Sequence, residues 1–148
     1  MRRTATATAK PAFRLVNRQR SDRVPVAWLS RVARCGARKL RVAWRGELVV
    51  SFIDSRTMQR LNWRFLRHRG VTDVLTFRYS HEPLAGEILI APACAKRYAR
   101  QHGLGYQEEL ARYVVHGLLH WVGHEDRTVT QQRRMQALED RLLNQCVT

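Results

Sequence analysis

One stretch limits the possible folds of this chain more than any other: Tyr113-Val-Val-His116-Gly-Leu-Leu-His120-Trp-Val-Gly123-His124-Glu-Asp126. Two histidines four residues apart lie one above the other on a helix face. Val114, Val115, Leu118, Leu119, Trp121 and Val122 leave that helix almost no polar side. A helix apolar on nearly every face is buried, so both imidazoles are expected inside the domain or on the floor of a cleft. Gly123 is the residue type that ends helices in the left-handed conformation. A reversal there can bring Asp126 or His124 beside His120. Two imidazoles and a third ligand from the following turn leave a fourth position open, as catalytic zinc requires. The zinc proteases place glutamate directly after the first histidine as general base. Here that position is Gly117, which disfavours a protease of that type. A glycine inside a helix costs about 1 kcal/mol relative to alanine, so another backbone or a substrate is expected to approach that face closely.

Charge points to the partner. The chain has 148 residues, enough for one domain with a single core, and a net charge of +15 from 27 basic and 12 acidic residues. Only Lys10, Lys39 and Lys96 are lysines; the other basic residues are arginines. The planar guanidinium pairs with phosphate through two parallel hydrogen bonds, so an anionic polymer such as RNA is the expected partner. Part of the charge serves only to solvate the surface. Cys35, Cys94 and Cys146 are odd in number, widely spaced and free of any Cys-x-x-Cys pair. They are expected as small buried thiols in a reducing compartment, not as a disulfide framework or zinc knuckle. No run approaches the roughly 18 apolar residues that span a bilayer. Residues 1–11 are basic and low in complexity, without the apolar segment of a secretory signal. They are expected as a disordered tail, residues 12–148 as one domain, and the cytoplasm as its compartment.

Along the chain, periodicity predicts strands mixed with helices. Phe13 to Arg18 is expected as an edge strand, and Pro25 opens a helix with the stripe Trp28, Leu29, Val32 and Ala33 that Gly36 should end. Leu40, Val42 and Trp44 alternate with polar or small residues, and a turn at Gly46-Glu47 predicts a hairpin with the strand from Leu48 to Ile53. Asp54 or Ser55 can cap a helix whose inner face carries Met58, Leu61 and Phe65 and whose outer face carries Arg56, Arg60, Arg64 and Arg67. Arg67-His68-Arg69-Gly70 extends that charge toward the next strand, Thr72 to Phe77. A loop from Arg78 to Ala85 leads to a strand over residues 86–91, and three helices follow. The last begins at a capping-box pattern, Thr128-x-x-Gln131, and buries Met135, Leu138, Leu142 and Leu143. This order predicts an α+β domain: a small mixed sheet of about four strands flanked by helices.

Three stretches together resemble the YbeY-type rRNA maturation endoribonucleases. That family's signature, His-Gly-x-Leu-His-Leu-x-Gly-Tyr-Asp-His, is matched by residues from His116-Gly117-Leu118-Leu119-His120 to Gly123-His124-Glu125-Asp126. Its leucine–asparagine helix end running into Thr-Asp-Val-Leu-Ser-Phe is similar to Leu61-Asn62 through Thr72-Asp73-Val74-Leu75-Thr76-Phe77, and its Gly-Asp/Glu-Ile stretch to Gly86-Glu87-Ile88. Order and spacing agree over roughly residues 48 to 143. The chain departs from the pattern twice. Asp126 stands where the family commonly has histidine, with His124, at a usual tyrosine position, as the alternative donor. Zinc accepts a carboxylate oxygen at similar distance. Leu66 stands where the family often has arginine, a charge that Arg64 or Arg67 is expected to supply.

The resemblance implies a zinc-dependent single-strand endoribonuclease acting in ribosomal RNA maturation. It implies one Zn2+ per chain held by His116, His120 and Asp126, which would lower the pKa of a bound water and polarise a phosphoryl oxygen. Arg64, Arg67 and Arg78 would hold the RNA backbone. No side chain is assigned as general base; Glu125 reads as an exposed loop acid. Single-stranded or ribosomal RNA and small-subunit ribosomal proteins are the partners implied, with no membrane. Two other functions stay open: a ribosome-associated RNA-binding module with a structural metal, and a metal-dependent peptidase, which Gly117 weakens.

Overall fold

Alternation in two neighbouring strands sets the plane on which the domain is built. A computed structural model describes residues 12–41, 46–67, 72–81 and 84–147, so the expected tail over residues 1–11 lies outside the described residues. Leu48, Val50 and Phe52 are fully buried on one side of β2 (Gly46–Phe52), and across from them, in parallel register, are Gly86, Ile88 and Ile90 of β4 (Leu84–Ile90). The strand β1 (Ala12–Asn17) runs parallel to β2 on its other edge, and β3 (Val74–His81) runs antiparallel to β4. The order is β1-β2-β4-β3, a four-stranded mixed sheet with β3 at one edge.

Among the described residues, five helices complete the single α+β domain: α1 (Val26–Lys39), α2 (Ser55–Leu66), α3 (Pro92–His102), α4 (Tyr106–Trp121) and α5 (Val129–Cys146). The central one is α4. Its Leu110, Val114, Leu118 and Leu119 are fully buried, each contributing about 1.5–3 kcal/mol of apolar burial. Gly117 explains how closely it meets the sheet: a Cβ there would stand 2.6 Å from Ile88 Cγ2 and 3.4 Å from Val74 Cγ1. The approach expected here from another backbone or a substrate is instead made by side chains of β4 and β3. Trp121 seats its ring against Gly86 in the same way. No helix among the described residues is long and apolar enough to cross a membrane.

Four expectations need correction. The hairpin expected between residues 40–45 and β2 is displaced, because β1 and β4 occupy both edges of β2 from Glu47 to Phe52. Leu40 is instead the C-terminal cap of α1, and residues 42–45 lie outside the described residues. Gly36 does not stop α1; it sits inside the helix opposite Leu118, and the chain leaves the helix at Arg41, which takes a left-handed φ of 51°. The span from Arg78 to Ala85, read as a loop, is largely strand, with an irregularity in register between Arg78 and Ser80. Cys35 and Cys146 form a disulfide between α1 and the end of α5, with Cα atoms 5.6 Å apart, while Cys94 is free and buried as expected. Sequence spacing gave no sign of this pair, whose members are 111 residues apart.

Candidate metal centre

The site is assembled where α4 ends. Gly123, with φ of 103°, ends the helix in a Schellman arrangement: its N–H donates to the His120 carbonyl at 3.0 Å and the His124 N–H to the Leu119 carbonyl at 3.0 Å. The chain then turns back and is pinned at the start of α5. Thr128 caps α5 in a capping box, Gln131 Oε1 accepts from the Arg127 and Thr128 amides, and Gln132 Nε2 donates to the Asp126 carbonyl. These local bonds fix the position of Asp126.

Three donor atoms converge as a result. His120 Nε2 lies 3.0 Å from His116 Nε2, and Asp126 Oδ2 lies 3.5 Å from His116 Nε2 and 3.4 Å from His120 Nε2. Adjacent corners of a zinc tetrahedron with donors at about 2.0–2.1 Å are about 3.3 Å apart, so the three atoms match one face of such a tetrahedron. Two imidazole nitrogens and a carboxylate oxygen are also donors that zinc accepts. This group could hold a metal ion. His124 lines the adjoining cleft but is not part of the group.

A residue the sequence reading missed holds the first histidine. Glu139, buried on α5, accepts from His116 Nδ1 at 2.7 Å, which leaves the Nε2 lone pair facing the other two donors. Glu139 is in turn bound by Arg112 Nη1 at 3.0 Å, and Arg112 Nη2 binds Asp140 at 2.7 Å. Burial pulls the His116 imidazole toward its neutral form. The hydrogen bond and charge of Glu139, with Asp73 and Asp126, outweigh that, and its pKa lies above the ordinary histidine value. The sequence did carry a signal for Glu139, since it is an acid on the face of α5 that Met135 and Leu142 bury.

Beside the group lies an open cleft of about 640 Å³, bounded by Leu66, residues 74–78 along the edge strand, His120 and residues 123–127. Arg78 stands in its wall, donating to the Trp121 carbonyl at the end of α4 with its guanidinium 5.1 Å from the Trp121 ring centre. Arg127, which the sequence reading did not single out, lines it too. Arg64 and Arg67 do not line the cleft. They lie exposed at the end of α2, over Phe65 and Trp63 respectively, while Phe65 packs edge-on against Phe77 of β3. Glu125 is exposed at the cleft.

The family model for endoribonuclease YbeY matches residues 15–147. Curated relatives of the same description include one from Myxococcus xanthus, 37% identical over 106 residues (67% of this chain, 36% of the relative), and one from Bdellovibrio bacteriovorus, 37% identical over 84 residues (57% of this chain, 56% of the relative). This chain thus spans about a third and just over half of those two relatives' lengths. A relative from Thermobifida fusca is 32% identical over 126 residues, covering 78% of this chain and 81% of its own. A solution structure of a Thermotoga maritima protein superimposes with a TM-score of 0.62 over 89% of each chain at 21% identity, a likeness of fold.

Proposed function

We propose that this chain, which belongs to the YbeY endoribonuclease family, is a metal-dependent endoribonuclease that cuts single-stranded RNA during ribosomal RNA maturation. The observation that carries this reading is the convergence of His116, His120 and Asp126 at the rim of an open cleft, with no fourth protein donor in the group among the described residues. Zinc is the ion we assign, one per chain, on the chemistry of those donors. Such an ion would supply Lewis acidity toward water and toward a phosphoryl oxygen. The chain's own residues do the rest. Glu139 fixes the tautomer of His116, Arg112 keeps Glu139 in place, and the Gly123 turn aims Asp126. Arg78 and Arg127 bring positive charge to the cleft walls, where a phosphate can be drawn in and developing charge offset. Arg64 and Arg67 stand outside, suited to the strand beyond the cut. A purely structural ion would need a fourth protein donor, and His124 lies outside the group.

We place the enzyme in the cytoplasm, with small-subunit ribosomal proteins as its partners. The Cys35–Cys146 bond pulls against that compartment, because cytosolic thiols are kept reduced. One observation favours a peptidase reading instead: the cleft runs along β3, whose outer edge has no neighbouring strand among the described residues and could pair with an extended peptide. Gly117, where a zinc protease has its glutamate, argues against it. Purified protein assayed on single-stranded RNA and on casein, with and without chelator, decides between them. Chelator-sensitive RNA cleavage with intact casein is expected; RNA cleavage that chelator leaves untouched contradicts the proposal.

A further inference from the structure

The outer face of α2 carries an order that the metal centre does not explain. Arg56, Arg60, Trp63 and Arg67 follow one another at spacings of four, three and four residues. At 100° per residue the three helical residues, Arg56, Arg60 and Trp63, keep within a sector of about 60° and a stripe about 11 Å long, and Arg67, the left-handed cap residue with φ of 57°, continues it at the helix end. All four are exposed, Trp63 with 45% of its surface open, and the Arg67 guanidinium lies 5.6 Å from the centre of the Trp63 ring. One acid, the cap residue Asp54, feels the charges of Arg56 and Arg60. Three residues beyond Trp63, and so beside it on the helix, Leu66 lines the cleft that holds His120 and Asp126. The stripe therefore runs into the candidate active site.

We infer that this stripe is a track for single-stranded RNA, with Trp63 as the platform on which an unpaired base stacks. The inference rests on the endoribonuclease reading and adds a strand-selective surface to it. Arginines spaced along a helix face can each meet a phosphate, but they attract duplex and single strand alike. An indole between them discriminates. Every base has a face that can stack on it, and only an unpaired base can leave its own helix to do so. The Arg67 guanidinium that covers the ring in the free protein can move to a phosphate when a base takes its place. An acidic protein surface would satisfy the arginines, but it gives the exposed indole, and its continuity with the cleft, no role.

The test is binding of a fluorescent 2′-O-methyl RNA of about twelve nucleotides, single-stranded or annealed to its complement, to the full-length, metal-loaded protein. Trp63→Ala is expected to weaken single-strand binding about tenfold and to leave duplex binding unchanged, with Trp63→Phe recovering most of the loss. Arg56→Gln combined with Arg60→Gln is expected to lower the slope of log affinity against log salt by about 1 to 1.5 for the single strand. Circular dichroism checks the fold of each variant, and the arginine pair gives an independent reading should the Trp63 variants unfold. Unchanged single-strand affinity in Trp63→Ala, or an equal loss for duplex, overturns the track. So does poly-glutamate that binds as tightly as RNA and is lost with the same variants. Failure of the track leaves chelator-sensitive RNA cleavage by the wild type standing. Absence of that cleavage, with Trp63-dependent RNA binding retained, would remove the enzyme reading and keep the track.

Discussion

The end of α4 and the end of α2 border the same cleft and are built on opposite principles. At the end of α4, His116 and His120 are half-buried on a helix whose other faces are packed; Glu139 of α5 holds His116, and His120 lies against His116 and Asp126. At the end of α2, Trp63, Arg64 and Arg67 are exposed, with Arg67 over the Trp63 ring and Arg64 over Phe65. A group that must hold donors within tenths of an ångström needs burial and supporting bonds. A surface that must accept a flexible polyanion needs charge and exposed rings. Substitutions in the two regions should therefore fail in different assays.

The largest separation comes from His120→Ala. Loss of a ligand is expected to reduce RNA cleavage by about a thousandfold or more, with the circular dichroism spectrum retained and the affinity for uncleavable RNA within about twofold of wild type, because the phosphate contacts lie elsewhere. Undiminished cleavage would take the metal out of the mechanism. Next is the disulfide, which fastens α5, the helix that carries Glu139. Closing a loop of this length is worth about 4–5 kcal/mol in the chain-entropy account. Urea unfolding of Cys146→Ser, or of reduced wild type, should show a loss of that order, and an unchanged midpoint would show that packing alone holds α5.

Smaller is the effect of Glu139→Gln, which keeps a hydrogen-bond acceptor for His116 Nδ1 but removes the charge. Metal affinity in competition with a chromogenic chelator is expected to fall about 10–100-fold, with the salt dependence of RNA binding unchanged. A loss in both assays would merge the two regions. Smallest is the pH dependence. With chelator present, the raised pKa of His116 contributes stability that is fully present below the ordinary histidine value and lost as pH rises through the folded-state value. Metal binding needs the unprotonated ring, so the stabilisation added by zinc should grow over the same interval. Melting temperatures with and without zinc should therefore diverge as pH rises. Parallel curves would contradict the competition between proton and metal.

What could be read in advance follows the same division between local and distant. The burial of α4, the reversal at Gly123 and the capping box at Thr128 are written within a few residues, and all three are present. The sheet was legible as four strands but not in its pairings. Alternation shows that Leu48, Val50 and Phe52 face one way and says nothing about which strands flank them, so β1 and β4 were expected as strands but not as the neighbours of β2, where a hairpin was expected instead. Gly36 looked like a helix end because a glycine inside a helix needs a tertiary reason, here the Leu118 side chain opposite. The burial of Glu139 could be read from its place between Met135 and Leu142, but its partner His116 lies 23 residues away and the cysteines of the Cys35–Cys146 pair are 111 apart, distances at which spacing does not identify a partner.

The central claim is that His116, His120 and Asp126 hold one divalent ion between them. Elemental analysis of protein purified without added metal tests it most directly, run beside the variant His116→Ala/His120→Ala/Asp126→Ala. About one zinc per wild-type chain and none in the variant is the predicted result. Wild type without a stoichiometric ion, or a variant that retains it, would contradict the account.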